Sequence, residues 1–149
     1  MTGKRKIFIG LLCLIALAWT AFILLRSAKT GAESSAESGR LTAFLRALLG
    51  GIPISERLVR KLAHFGEYLI LSFPVTSASM LAGGPRTAPF AWAYAVLVAL
   101  CDEFAVQAMT AGRGPRFSDV LIDSAGALVG VGAVVLAFFV LRRIRAKKA

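Results

Sequence analysis

The sequence predicts an all-α fold: an integral membrane bundle of about four transmembrane helices, with a short amphipathic helix between the first and second. Three observations predict it. Of the 149 residues, 57% are hydrophobic and only 17% charged, with a mean hydropathy of +0.72, more apolar than a soluble domain of this size requires. The apolar residues fall in long runs, and about 20 residues at about 1.5 Å each match a hydrocarbon core about 30 Å thick. The 18 Lys and Arg residues, which give a net charge of +10, sit between those runs. Basic clusters in that position mark headgroup contacts and topology. Nucleic acid is excluded as a partner because no basic stripe interleaved with aromatics appears.

Each element follows in order. Lys4, Arg5 and Lys6 precede an uncharged run from Ile7 to Leu25 that ends at Arg26 and Lys29, the first span (7–25). A secretory signal peptide is the rival reading, but its apolar region is usually about 7–15 residues, so a retained anchor is preferred. The Ser-, Ala-, Gly- and Glu-rich stretch from Thr30 to Gly39 reads as a flexible linker. In residues 40–49, Leu41, Phe44, Leu45, Leu48 and Leu49 share a helical stripe that Arg40 and Arg46 avoid, predicting a short helix that lies in the interface or packs as a loop helix. Gly50, Gly51 and Pro53 end it. A second span covers 62–81 with Pro74 inside it, and Gly83-Gly84-Pro85-Arg86 turns the chain. A third covers 88–109 and carries Asp102 and Glu103 near its end, before the break at Ala111–Pro115. A fourth covers 118–141, where Gly126 and Gly130 have the spacing that lets a neighbouring helix backbone come close. Cys13 and Cys101 lie inside apolar runs, far from any CxxC spacing, and read as packing residues.

An even number of spans puts both termini on one side. Their basic clusters, residues 1–6 and 142–149, assign them to the cytoplasm and residues 26–61 to the outside. The basic residues of the 26–61 segment, with Arg113 and Arg116, count against that orientation without reversing it, since the terminal charges directly abut the spans.

Charged groups inside spans cost a few kcal/mol each and require pairing, water or a function. Here they cluster: His64 and Glu67 begin the second span, Asp102, Glu103 and Gln107 end the third, and Asp119 and Asp123 begin the fourth. Successive helices run antiparallel, so these positions share one level. His64 and Glu67, Glu103 and Gln107, and Asp119 and Asp123 are spaced three or four residues apart, so each pair shares a helix face. Arg60, Lys61, Arg113 and Arg116 supply counter-charge nearby. The cluster reads either as a salt-bridged rim that fixes packing or as a polar cavity at headgroup depth. In the cavity reading His64 exchanges protons, Glu67 orients it, and arginine binds an anion. A divalent ion held by His64 and carboxylates is a third reading, but without HExxH or a comparable pattern no metal ligand is assigned.

The blocks Lys61-Leu-Ala-His64-Phe-Gly-Glu67-Tyr68-Leu-Ile-Leu71, Asp102-Glu103-Phe-Ala-Val-Gln107, Gly112-Arg113 and Asp119-Val-Leu-Ile-Asp123-Ser-Ala-Gly126-Ala-Leu-Val-Gly130 resemble the VanZ-like family of small membrane proteins, from about Arg60 to Gly130. The resemblance implies a VanZ-like three-helix core over 62–141. It also implies that His64, Tyr68, Asp102, Glu103, Gln107, Arg113 and Asp119 occupy the family's signature positions. Asp123 departs from the Asn common there. The family's namesake is associated with low-level teicoplanin resistance, which implies a bacterial plasma-membrane protein of the cell envelope.

The expected function is binding or modification of an anionic lipid or lipid-linked wall precursor in an outer-face polar cavity. His64, Glu67, Asp102 and Glu103 are the catalytic candidates, and Tyr68, Gln107, Arg113, Asp119 and Asp123 the ligand-binding ones. The alternative is a non-catalytic adaptor or small permease subunit whose polar cluster is structural or a proton path. Membrane lipids are the expected partners. The residues assign no cofactor and no oligomeric state. No nucleophile elbow, phosphate-cradling glycine loop or dinucleotide fingerprint is present.

Overall fold

A computed structural model describes residues 2–147, and within them the chain is helical without strands. Helix α1 spans Gly3–Ser27, α2 Gly31–Leu48, α3 Glu56–Gly83, α4 Ala88–Cys101 and α5 Phe117–Ala146. A π-helical turn, Asp102–Val106, and a 3-10 turn, Gln107–Met109, extend α4. Three stretches, Gly3–Ser27, Pro85–Met109 and Phe117–Ala146, are long and apolar enough to cross a membrane. The expected count of about four exceeds this because α3, although 28 residues long, spends its first turns on Glu56, Arg57, Arg60, Lys61, His64 and Glu67.

The helix expected at 40–49 is longer. α2 begins at Gly31 and takes in the stretch read as a flexible linker. The reason is a capping box: Thr30 Oγ1 accepts from the Glu33 N–H at 3.3 Å, while the Glu33 carboxylate accepts from the Thr30 N–H at 2.9 Å. This satisfies two otherwise orphan donors. α2 is tied down further by Lys29–Glu37 and by Ser38, whose hydroxyl donates to Glu56 at 2.8 Å. Arg46 reaches on to the Ile54 carbonyl at 2.6 Å.

α3 lies at the centre, packed most extensively on α5 and then on α1 and α4. Glycine explains its closeness to α5. A methyl group on Gly126 would overlap the Phe65 carbonyl, and one on Gly130 would overlap Ser72 and meet the Leu69 carbonyl at 2.6 Å. Tyr68, Leu71, Ala95, Ala99 and Ala127 fill the core between these helices. The outer faces are apolar, with Leu11, Leu14, Leu25, Leu97, Leu128 and Leu136 all more than half exposed. Cys13 and Cys101, expected as packing residues, also lie exposed. Buried polar groups inside a shell of exposed leucines are the arrangement of a protein whose solvent is hydrocarbon.

Candidate functional site

The end of α1, the start of α2, the start of α3, the end of the α4 extension and the start of α5 meet at one end of the bundle. Gly31 N–H donates to the Ala111 carbonyl at 3.0 Å, so α2 abuts the turn before α5. Arg113 in that turn donates to the Ser27 carbonyl at 2.7 Å and to Ser34 Oγ at 2.9 Å, joining it to both α1 and α2. Burial holds its guanidinium below its ordinary pKa.

The sequence candidates converge here. Donor atoms of His64, Asp102 and Asp123 all lie within 4.8 Å of one another. Asp102, Asp123 and Tyr68 are wholly buried and Glu103 is 1% exposed. The π turn widens the helix just where Asp102 and Glu103 both turn inward, and π turns recur at functional sites. Gln107 then holds both carboxylates, donating to Asp102 Oδ2 at 3.1 Å and Glu103 Oε1 at 2.6 Å. The Arg116 N–H donates to Glu103 Oε2 at 2.9 Å.

One expected pairing differs. Glu67 shares a helix face with His64, yet its carboxylate pairs with Arg26, and His64 faces Asp123 instead, Nδ1 to Oδ1 at 3.6 Å. Spacing along α3 showed only which residues are neighbours on that helix, while α1 supplies the nearer opposite charge. α1 also contributes Trp19, whose indole N–H donates to the Glu67 carbonyl at 2.9 Å. Arg26 and Trp19 were not among the sequence candidates. The basic residue just past the first apolar run was the available signal.

Above the buried acids opens a cavity of about 360 Å³ lined by Arg57, Arg60, Lys61, Arg113 and Arg116, with Glu56 and Asp119 as its acids and His64 and Gln107 also lining it. Arg60 is held by Glu56 at 2.8 Å and by Ser35 at 3.1 Å. A smaller adjoining space of about 180 Å³ shares Ser34, Arg60, His64 and Arg113 with it and reaches Glu67. The cavity wall is thus mainly cationic, with His64 and Gln107 linking it to the buried acids behind it, an arrangement chemically able to attract an anion.

Comparison with known families finds that the VanZ/LLP1 family profile matches residues 12–140. No curated protein and no solved structure matches the chain.

Proposed function

The chain belongs to the VanZ/LLP1 family, and from that premise we propose that this membrane protein binds the anionic headgroup of a lipid or lipid-linked cell-wall precursor in the cavity at its helix ends. One observation carries the reading. Five cationic side chains line a cavity of about 360 Å³ whose lining acids, among the described residues, are Glu56 and Asp119, a volume and charge balance suited to a phosphate-bearing headgroup. In this reading α3 is the fourth crossing, packed among α1, α4 and α5 with Leu62, Ile70 and Phe73 left facing lipid. The termini are cytoplasmic, and the cavity opens at the outer face of a bacterial plasma membrane. His64, with Asp102, Asp123 and Glu103 beneath it, is the group that would exchange a proton if the bound lipid is modified.

The purified protein in nanodiscs tests it by competition between phosphatidylglycerol, phosphatidylcholine and an isoprenyl diphosphate, read by native mass spectrometry. Retention of an anionic lipid that falls about tenfold in Arg60→Ala and Lys61→Ala supports the reading, and equal retention of zwitterionic and anionic lipids overturns it. The proposal extends to tolerance of teicoplanin, checked by susceptibility of a bacterial host expressing the parent chain or the same variants at matched levels. The ion pair Arg26–Glu67 and the anchoring of Arg113 favour the second reading, a structural cluster in an adaptor or permease subunit. Variants that protect the host as well as the parent would support it.

A further inference from the structure

Beneath the cavity the polar atoms do not account for one another. Asp123 is wholly buried, and neither of its carboxylate oxygens has a hydrogen-bond partner among the described residues. The same is true of His64 Nδ1, Asp102 Oδ1 and the hydroxyl of Tyr68. Buried polar atoms are nearly always satisfied, so five such atoms in one place point to a group that satisfies them together.

Geometry says what kind of group. His64 Nδ1 and Asp123 Oδ1 are 3.6 Å apart, too far for a hydrogen bond. That separation is close to the edge of about 3.4 Å between two donors of a tetrahedral site with bonds of about 2.1 Å. Asp102 brings the third donor within 4.8 Å of both, a gap that small side-chain rotations close. Two carboxylates balance the charge of one divalent cation. The imidazole selects a transition-series ion over Mg²⁺ or Ca²⁺, which prefer oxygen alone.

We propose that His64, Asp102 and Asp123 hold one divalent transition-metal ion at the base of the cavity, and that Zn²⁺ suits their donors best. Gln107 is the positioning residue: its amide grips Asp102 Oδ2 at 3.1 Å and leaves Oδ1 to the ion, the usual role of an outer hydrogen bond at a metal site. The wholly buried Tyr68 hydroxyl likewise has no partner among the described residues. Because His64 also lines the cavity, the ion has a path in. No linear motif announces the site, since its donors come from three different helices. The inference goes beyond the anion reading, replaces the proton-exchange role of His64 with metal ligation, and can fail alone, because it is tested without lipid.

The test uses the full chain purified without a polyhistidine tag, with Cys13→Ser and Cys101→Ser to remove the exposed thiols, stripped with chelator and dialysed against Zn²⁺. One equivalent of zinc by elemental analysis is expected, with affinity about a hundredfold lower in His64→Ala and Asp123→Asn. A second readout requires no site variant to fold. The chain has a single histidine, so Co²⁺ exchanged for Zn²⁺ must shift that one set of imidazole resonances in the NMR spectrum. Much less than one equivalent overturns the proposal, as does a full equivalent that leaves the His64 resonances unshifted.

Discussion

The Gln107 amide stands 2.6 Å from Glu103 Oε1 and 3.1 Å from Asp102 Oδ2, so one uncharged side chain holds two consecutive buried acids. Replacing it with alanine removes a donor from both. Leaving buried acceptors unsatisfied costs about 1–3 kcal/mol, so Gln107→Ala should lower the thermal unfolding midpoint in detergent clearly, and Gln107→Asn, too short to reach both, by nearly as much. An unchanged midpoint for the alanine variant would show that the acids find other donors.

Gly126 packs where a methyl group would overlap the Phe65 backbone carbonyl, which cannot rotate away. Gly126→Ala should therefore push α3 and α5 apart, reducing both stability and expression. Gly132, with nothing within 4 Å of its added methyl, is the internal control. Gly132→Ala should stabilise by about 0.5–1 kcal/mol through helix propensity alone. Equal effects from the two would refute the close-approach argument.

Glu67 is 12% exposed and Arg26 39%, so the pair is partly solvated and should contribute about 1–2 kcal/mol, between exposed and buried pairs. Arg26→Ala should cost more than Glu67→Gln, because it strands the less exposed charge. The double variant should recover part of that loss. A double-mutant cycle with zero coupling energy would remove the pair from any account of stability.

Acid should release α2. Glu33, held by the Thr30 hydroxyl, Glu37, held by Lys29, and Glu56, held by the Ser38 hydroxyl, all ionise below the ordinary 4.5. A carboxyl depressed on folding contributes stability that is present above its unfolded pKa and lost as pH falls through the folded value. Spin-label distances between α2 and α3 should thus be fixed at pH 7 and broaden below about 4.5. A distribution unchanged down to pH 3 would contradict this.

Much of the architecture is legible because apolar runs and their punctuation are local. The stripes, Gly50-Gly51, and the glycines of α5 each announce themselves within a few residues. The shared level of His64, Asp102 and Asp123 follows from antiparallel alternation alone. α2 was obscured by its Ser and Gly content, although Thr30 and Glu33 carry the spacing of a capping box. The partners of Glu67 and Arg113 lie on α1 and α2, and no periodicity reports which helices touch. The π turn was equally hidden, since it shifts the phase of Asp102 and Glu103 without changing their order.

Trp19, Arg26 and the Ser27 carbonyl belong to a segment that in isolation reads as a mere anchor, yet each binds a group at the polar end of the bundle. Chains are synthesised from the N-terminus. The donor for Glu67 is therefore already in place when that carboxylate emerges, and the acceptor for Arg113 waits through three more helices. Exchanging residues 3–27 for a generic membrane anchor would keep the protein attached to the bilayer while leaving Glu67 to be buried without a counter-charge during biogenesis. The first helix is in this sense an assembly template, and its sequence is constrained by the order in which the others arrive.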